Sequence, residues 1–177
     1  GKPSQRDKPI MKGQKCKNKV EMWTSKLGRT YRKDEVDFDA AKAELDAVRN
    51  LPENRRCADC GTRGTVWSSV NLGVFTCMRC GSFHRALGTH VSKPKGCTGT
   101  YLWYPDEVQR MKEIGNARAE RIYGSSKAME SLPPSDASHG RWLEFFRDKY
   151  ERRRWAETAE VRMKVPENGS KKCVGTT

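Results

Sequence analysis

Two CxxC pairs, Cys57-Ala-Asp-Cys60 and Cys77-Met-Arg-Cys80, stand either side of the 16 residues 61–76. A single pair could be a redox dithiol, but two at this separation have the spacing of a four-thiolate zinc site. Cys57, Cys60, Cys77 and Cys80 are therefore the candidate metal ligands, and one structural Zn²⁺ is the expected cofactor. Such a site ties two separate stretches of chain to one point and holds the residues that follow the second pair, Arg85 among them. Zinc bound by four thiolates is coordinatively full. It is expected to be a scaffold and not a Lewis acid, so any chemistry must come from side chains beside it.

A metal would matter to this chain. Its hydrophobic share is 35% and its mean hydropathy −0.89, values at which part of the sequence contributes nothing to a core. Structural zinc contributes about 10–16 kcal/mol to the folding of small metal domains. The 177 residues suffice for one ordinary domain with loose ends. Thirty-five basic residues against 22 acidic ones give a net charge of +13, which suits nucleic acid, anionic lipid or an acidic protein face. The charge gathers in a basic stretch before residue 34 and in Arg147, Lys149, Arg152, Arg153 and Arg154. Either cluster reads equally well as a solvated surface. Beyond the proposed ligands, Cys16, Cys97 and Cys173 are scattered and form no disulfide framework, which fits a reducing cytosolic or nuclear compartment. No apolar run is long enough for a membrane span, and the lysine-rich start lacks a secretory signal's apolar segment.

Three regions are expected: a basic, disordered segment over 1–35, a zinc domain over 36–155 ending in an amphipathic helix, and a polar tail over 156–177. Within the domain, Asp37 reads as the N-cap of a helix carrying Phe38, Ala41, Leu45 and Val48. Thr65 to Val70 and Val74 to Thr76 read as strands joined by a turn over Asn71 to Gly73. Ser82 reads as the cap of a short helix through Leu87, stopped by Gly88. Pro105 opens another helix with Val108, Met111 and Ile114 on one face, and Gly115 ends it. Asn116 caps a further turn or two ending at Tyr123-Gly124. Residues Ser131 to Asp136 read as a linker. A last helix from about Gly140 to Trp155 buries Trp142, Leu143, Phe145, Phe146 and Tyr150. The fold class is α+β: a small Cys₄ zinc core and short sheet surrounded by helices.

The histidines His84, His90 and His139 have no spacing that suggests a triad or second metal, and His84 and His90 read as structural hydrogen-bonding residues. Arg85 differs in that it sits on a short helix braced by the proposed zinc. A rigid guanidinium aimed outward suits stabilisation of charge on a transferring phosphoryl group, although on chemistry alone a surface ion pair is the commoner use of such an arginine.

Several stretches together resemble the ArfGAP domain. These are Cys57-Ala-Asp-Cys-Gly, then Trp67-Ser-Ser-Val-Asn-Leu-Gly-Val-Phe-Thr-Cys77, and Cys80-Gly-Ser-Phe-His-Arg85-Ala-Leu-Gly-Thr-His-Val-Ser92. Gly115-Asn116 is similar to a later turn of that family. Phe145-Phe-Arg-Asp-Lys-Tyr-Glu-Arg-Arg-Arg154 is similar to the terminal helix of its small-protein subgroup. The resemblance covers roughly residues 36–155. It implies a GTPase-activating protein for a GTP-bound Arf-family small GTPase, with Arg85 entering the partner's active site in trans. It further implies that Trp67 braces the arginine or lines the contact, and that work is done in the cytoplasm or on Golgi or endosomal membranes. From charge alone, the basic N-terminal stretch and Arg152 to Arg154 are expected to add attraction to anionic membrane. The partner would supply nucleotide, Mg²⁺ and water, consistent with the absence here of a GxxxxGK[ST] loop.

The sequence departs from the family pattern over Lys93 to Trp103, which contains a proline, lacks the family's Leu-Asp pair and is one residue longer. Lys95 stands at the family's basic position there and is a candidate partner contact. Two other readings stay open: a GATA-like Cys₄ module that binds nucleic acid, which would want a helix richer in Arg, Lys and Asn after the second knuckle, and an adaptor that binds Arf without activating it.

Overall fold

The computed structural model of the chain describes residues 20–157. It begins with a hairpin where disorder was expected: β1 (Met22–Thr24) pairs antiparallel with β2 (Thr30–Arg32). An isolated two-stranded hairpin is marginal in water. This one is held by contacts far along the chain, which its polar composition conceals. Trp23 packs on Phe38 at 5.9 Å between centroids and Tyr31 stacks on Tyr104 at 5.4 Å. The Ser25 hydroxyl donates to Asp106 and the Lys26 N–H to Glu107, both at 2.7 Å. The boundary expected at residue 36 therefore falls inside packed structure. At the other end, Ala156, assigned to the tail, is buried. The remaining calls on the basic N-terminal residues, Cys16, Cys173 and the tail fall on residues outside those described.

Helix α1 (Phe38–Arg49) starts as expected. The Asp37 carboxylate accepts the Ala40 N–H at 2.9 Å, and Ala41, Leu45 and Val48 form its buried stripe. Strand β3 (Trp67–Ser69) is central in a three-stranded antiparallel sheet, flanked by β4 (Val74–Thr76) and β5 (Pro94–Gly96). The strand is shorter than Thr65 to Val70, although the Cys97 N–H still donates to the Val66 carbonyl and the Val70 N–H to the Lys93 carbonyl; the Thr65 hydroxyl donates to the Asn54 carbonyl at 2.8 Å. Successive side chains of a strand point to opposite faces, and here both faces are covered. Val74 joins a core with Phe83, Tyr123, Trp142 and Phe146, whereas Phe75 joins a second core with Leu45, Val48, Trp103 and Met111.

Helix α2 (Met78–Ala86) begins five residues earlier than the Ser82 cap would have placed it. Cys77 is the N-cap, its sulfur accepting the Cys80 N–H at 3.4 Å, and the Ser82 hydroxyl instead donates back to the Arg79 carbonyl at 2.6 Å. The second knuckle is thus the first turn of the helix that carries Arg85.

Helices α3 (Pro105–Glu113) and α4 (Gly115–Tyr123) follow, separated by Ile114. Asn116 is not a cap but a buried clamp. Its side chain accepts the Phe75 N–H at 2.8 Å and donates to the Arg56 carbonyl at 2.7 Å, joining α4 to β4 and to the approach of the first knuckle. Helix α5 (Ser125–Glu130) was not expected from the sequence. It follows Gly124, whose φ of +64° and close approach to the Trp155 carbonyl leave no room for a side chain.

Helix α6 (His139–Tyr150) ends earlier than Trp155, the chain turning back so that the Arg154 N–H donates to the Asp148 carbonyl at 2.9 Å. Leu143 is only partly buried, while Trp142, Phe145, Phe146 and Tyr150 are in the core.

Candidate functional site

The local fold brings the four cysteines together. The Sγ atoms of Cys57, Cys60, Cys77 and Cys80 all lie within 4.8 Å of one another, the only such His/Cys/Asp/Glu group among the described residues. Cys57 and Cys80 are buried, and Cys60 and Cys77 are partly exposed. The Cys60 and Cys77 sulfurs are 3.7 Å apart, close to the ~3.8 Å edge of a tetrahedron with metal–sulfur bonds of about 2.3 Å. The donor set and its dimensions fit a metal ion held by four sulfurs.

Between the first two cysteines of the cluster sits Asp59, a residue that no motif singles out. Asp59 is fully buried. Its Oδ1 accepts from the Lys149 ammonium at 2.8 Å and from the Tyr150 hydroxyl at 2.6 Å, and its Oδ2 lies 3.1 Å from His84 Nε2. The Lys149 ammonium also donates to the Ala58 carbonyl at 2.7 Å. Burial alone would raise the Asp59 carboxyl, but Lys149 and His84 outweigh it and hold it well below the usual carboxylate range. The Tyr150 hydroxyl is pushed well above its ordinary value by burial and by Asp59. His84 Nδ1 continues the network to the Ser92 hydroxyl at 2.9 Å, and Ser92 reaches the Ser69 hydroxyl at 2.8 Å. One carboxylate inside the first knuckle therefore ties α6 to α2 at the residue beside Arg85, and through Ser92 to β3.

Lys149 had been counted in a basic cluster, and its place here corrects that reading. On α6 it falls in the buried stripe Trp142, Phe145, Phe146, Lys149, Tyr150, a helical spacing that was readable in the sequence. The rest of the cluster is not a free cationic face either. Arg152 pairs with Glu144 and Asp148 at 2.5 and 2.6 Å, Arg154 with Asp148 at 3.1 Å, and Arg153 is buried against Tyr123. Replacing Lys149 with methionine leaves a buried carboxylate without its ammonium, so urea unfolding of the metal-loaded chain should show a loss of about 3–5 kcal/mol. A loss below 1 kcal/mol would mean that the pair is not holding the helix.

Arg85 is exposed, on the face of α2 away from the core. Its guanidinium lies 4.3 Å above the centre of the Trp67 ring. Gly81, one turn before Arg85, makes the approach possible, because a Cβ there would come within 2.9 Å of the Trp67 Cβ. Arg85 has no acidic partner among the described residues, so the surface ion pair that the sequence allowed is not formed there.

Lys95, the candidate partner contact, has its ammonium turned into the fold. It is 7% exposed, and its ammonium donates to Glu107 at 2.5 Å. Burial pushes the Lys95 ammonium down and Glu107 offsets part of that. Glu107 also accepts the Lys26 and Tyr104 N–H groups, so Lys95 belongs to the joint between β5, α3 and the hairpin. Nor does α2 resemble a nucleic-acid-reading helix. Of its basic residues Arg79 stacks on Trp142 at 4.3 Å and donates to the Ser135 carbonyl at 3.1 Å, His84 is buried, and the Arg85 guanidinium stacks on Trp67 without a hydrogen bond among the described residues.

Comparison with known proteins gives a consistent result. Residues 42–159 match the ArfGap family model, described as "Putative GTPase activating protein for Arf". The chain is 44% identical over 119 residues to "ADP-ribosylation factor GTPase-activating protein AGD12" of Arabidopsis thaliana, covering 63% of this chain and 34% of that one. It is 42% identical over 109 residues to "UBA domain-containing protein 3" of Schizosaccharomyces pombe, covering 61% of this chain and 18% of that one. It thus spans about a third or less of either relative. Among solved structures, the ArfGap domain of human RIP aligns with a TM-score of 0.55 and 25% identity, over 72% of this chain and 95% of that domain. Among the described residues no helix is long and apolar enough to cross a membrane.

Proposed function

The chain belongs to the ArfGAP family, and from that premise we propose that it activates GTP hydrolysis by a GTP-bound Arf-family small GTPase, with Arg85 as the group inserted into the partner's active site. The observation that carries this reading is the state of Arg85. It is exposed, without an acidic partner among the described residues, and steadied on Trp67 by a helix that grows directly out of the cysteine cluster. An arginine kept for an ion pair would have a carboxylate beside it. One kept for a partner's phosphate needs an open guanidinium and a stiff base, and both are present.

In phosphoryl transfer, charge builds on the oxygens of the transferring group and on the leaving oxygen. A planar guanidinium with several N–H donors can meet both. Trp67 limits the orientations that the guanidinium samples before the partner arrives, which lowers the ordering cost of binding. Cys57, Cys60, Cys77 and Cys80 are assigned as ligands of one Zn²⁺, which would supply rigidity and no reacting group. The reading locates this work at the cytoplasmic surface of Golgi or endosomal membranes. Attraction to anionic lipid would then have to come from elsewhere than the largely paired Arg147 to Arg154 run.

The test is single-turnover hydrolysis by GTP-loaded Arf on liposomes, with and without this chain. Acceleration of about 10³–10⁵-fold is expected. Binding of GTP-loaded Arf without acceleration would identify an adaptor and overturn the proposal.

A further inference from the structure

The stack of Arg85 on Trp67 raises the question of what holds Trp67. Its ring is only partly buried and it stands on a strand of three residues, so strand pairing alone fixes little beyond the Cβ. On the β4 side Trp67 lies opposite Thr76, but on the β5 side it lies opposite Gly96, a pairing that leaves that side of the indole without a cross-strand side chain. Tyr101 fills that space. Its ring sits on Gly96, where a Cβ would come within 2.3 Å of the Tyr101 Cε2, and meets the Trp67 ring edge-on at 5.6 Å and 65°. The segment that presents Tyr101 is anchored on either side. Trp103 is fully buried and donates from Nε1 to the Gly96 carbonyl at 3.0 Å, and the neighbouring Lys95 is paired with Glu107. Tyr101 itself is 46% exposed.

We propose that Tyr101 is a positioning residue for Arg85: it fills the place left by Gly96 and keeps the Trp67 ring in the plane on which the guanidinium rests. This deepens, and rests on, the GTPase-activating reading above. An exposed cation–π contact is weak alone, and a ring free to turn about its side-chain torsions would present its face for only part of the time. Packing Tyr101 against the indole removes that freedom while leaving the guanidinium itself untouched. The sequence stretch from Lys93 to Trp103 thereby acts on the arginine from behind and need not touch the partner to do so.

The test has two arms, applied to the metal-loaded chain. In proton–nitrogen NMR, the Arg85 side-chain Nε–H should be shifted upfield by the Trp67 ring current. Tyr101→Ala and Tyr101→Leu should both move it toward the position of a free arginine, and Tyr101→Phe should keep it. In stimulated hydrolysis, Tyr101→Ala should lower kcat about 3–10-fold with KM for the GTPase unchanged, the fold expected from losing one aromatic contact. Tyr101→Phe should restore the rate, and Tyr101→Ala should cost nothing further in an Arg85→Lys background. An unmoved Arg85 resonance in both Tyr101→Ala and Tyr101→Leu would overturn the proposal. So would a defect that falls on KM and persists with Arg85→Lys, because Tyr101 would then be a partner contact. If the wild-type chain fails to stimulate hydrolysis, the activating reading fails, and the NMR arm still decides whether Tyr101 holds Trp67 and Arg85.

Discussion

Arg85→Lys should reduce the stimulated single-turnover rate by about 10³–10⁵-fold, equivalent to roughly 4–7 kcal/mol of transition-state stabilisation. The substitution keeps the charge and much of the reach but removes the planar fork, so it separates the geometry of the donor from simple electrostatic attraction. Stability should change little. Arg85 is exposed, and among the described residues its guanidinium rests on the Trp67 face, an interaction worth about 0.5–1 kcal/mol at an exposed site. The thermal transition of the variant should therefore lie within a few degrees of the wild type. Affinity for GTP-loaded Arf should fall far less than the rate, because a group that acts mainly on developing charge contributes most in the transition state. Equal acceleration by both proteins would remove Arg85 from the mechanism, even if the chain proved to be an activator.

The parts of this site that the sequence discloses are those fixed by local rules. Cysteine spacing announced the cluster, Asp37 announced α1, and the apolar spacing of Val108 and Met111 announced α3. What it concealed depends on contacts between distant residues. The hairpin over Met22–Arg32 reads as polar chain because its partners, Phe38, Tyr104, Asp106 and Glu107, lie outside it. Lys149 reads as one more surface cation because its carboxylate partner is 90 residues away in sequence. Its position in the helical stripe was the available signal, but the charge of the side chain argued against burial. Lys95, placed by resemblance at a basic position of the family, is likewise turned by the fold to a buried acid, Glu107. Arg85 shows the reverse: its openness follows from the lack of an acid nearby, which no motif reports.

Removing the metal should have the largest effect on the fold itself. Full chelation, or replacement of Cys60 with serine, should abolish cooperative thermal unfolding and the near-ultraviolet circular dichroism of the buried tryptophans, with one Zn²⁺ released per chain. Binding to a structural four-sulfur site is worth about 10–16 kcal/mol, comparable with or larger than the whole stability of a typical domain, about 5–15 kcal/mol. The location of the cluster makes that comparison apt. Cys57 and Cys80 are packed in the same core as Phe83, Trp142 and Phe146, and the Cys77 sulfur caps α2. Without an ion, reduced sulfurs within 4.8 Å of one another either carry repelling charges or stand as weakly bonded thiols, two of them buried, and both oppose the packing around them. The Asp59 network cannot compensate, since its carboxylate reaches Lys149, Tyr150 and His84 only while the first knuckle is closed. Loss of stimulated hydrolysis should accompany unfolding, in contrast to Arg85→Lys, which should lose the rate and keep the fold. A chain stripped of metal, verified by elemental analysis, that still melted cooperatively near the original temperature would show that protein contacts alone hold α2, and the scaffold role assigned to the cysteines would be withdrawn.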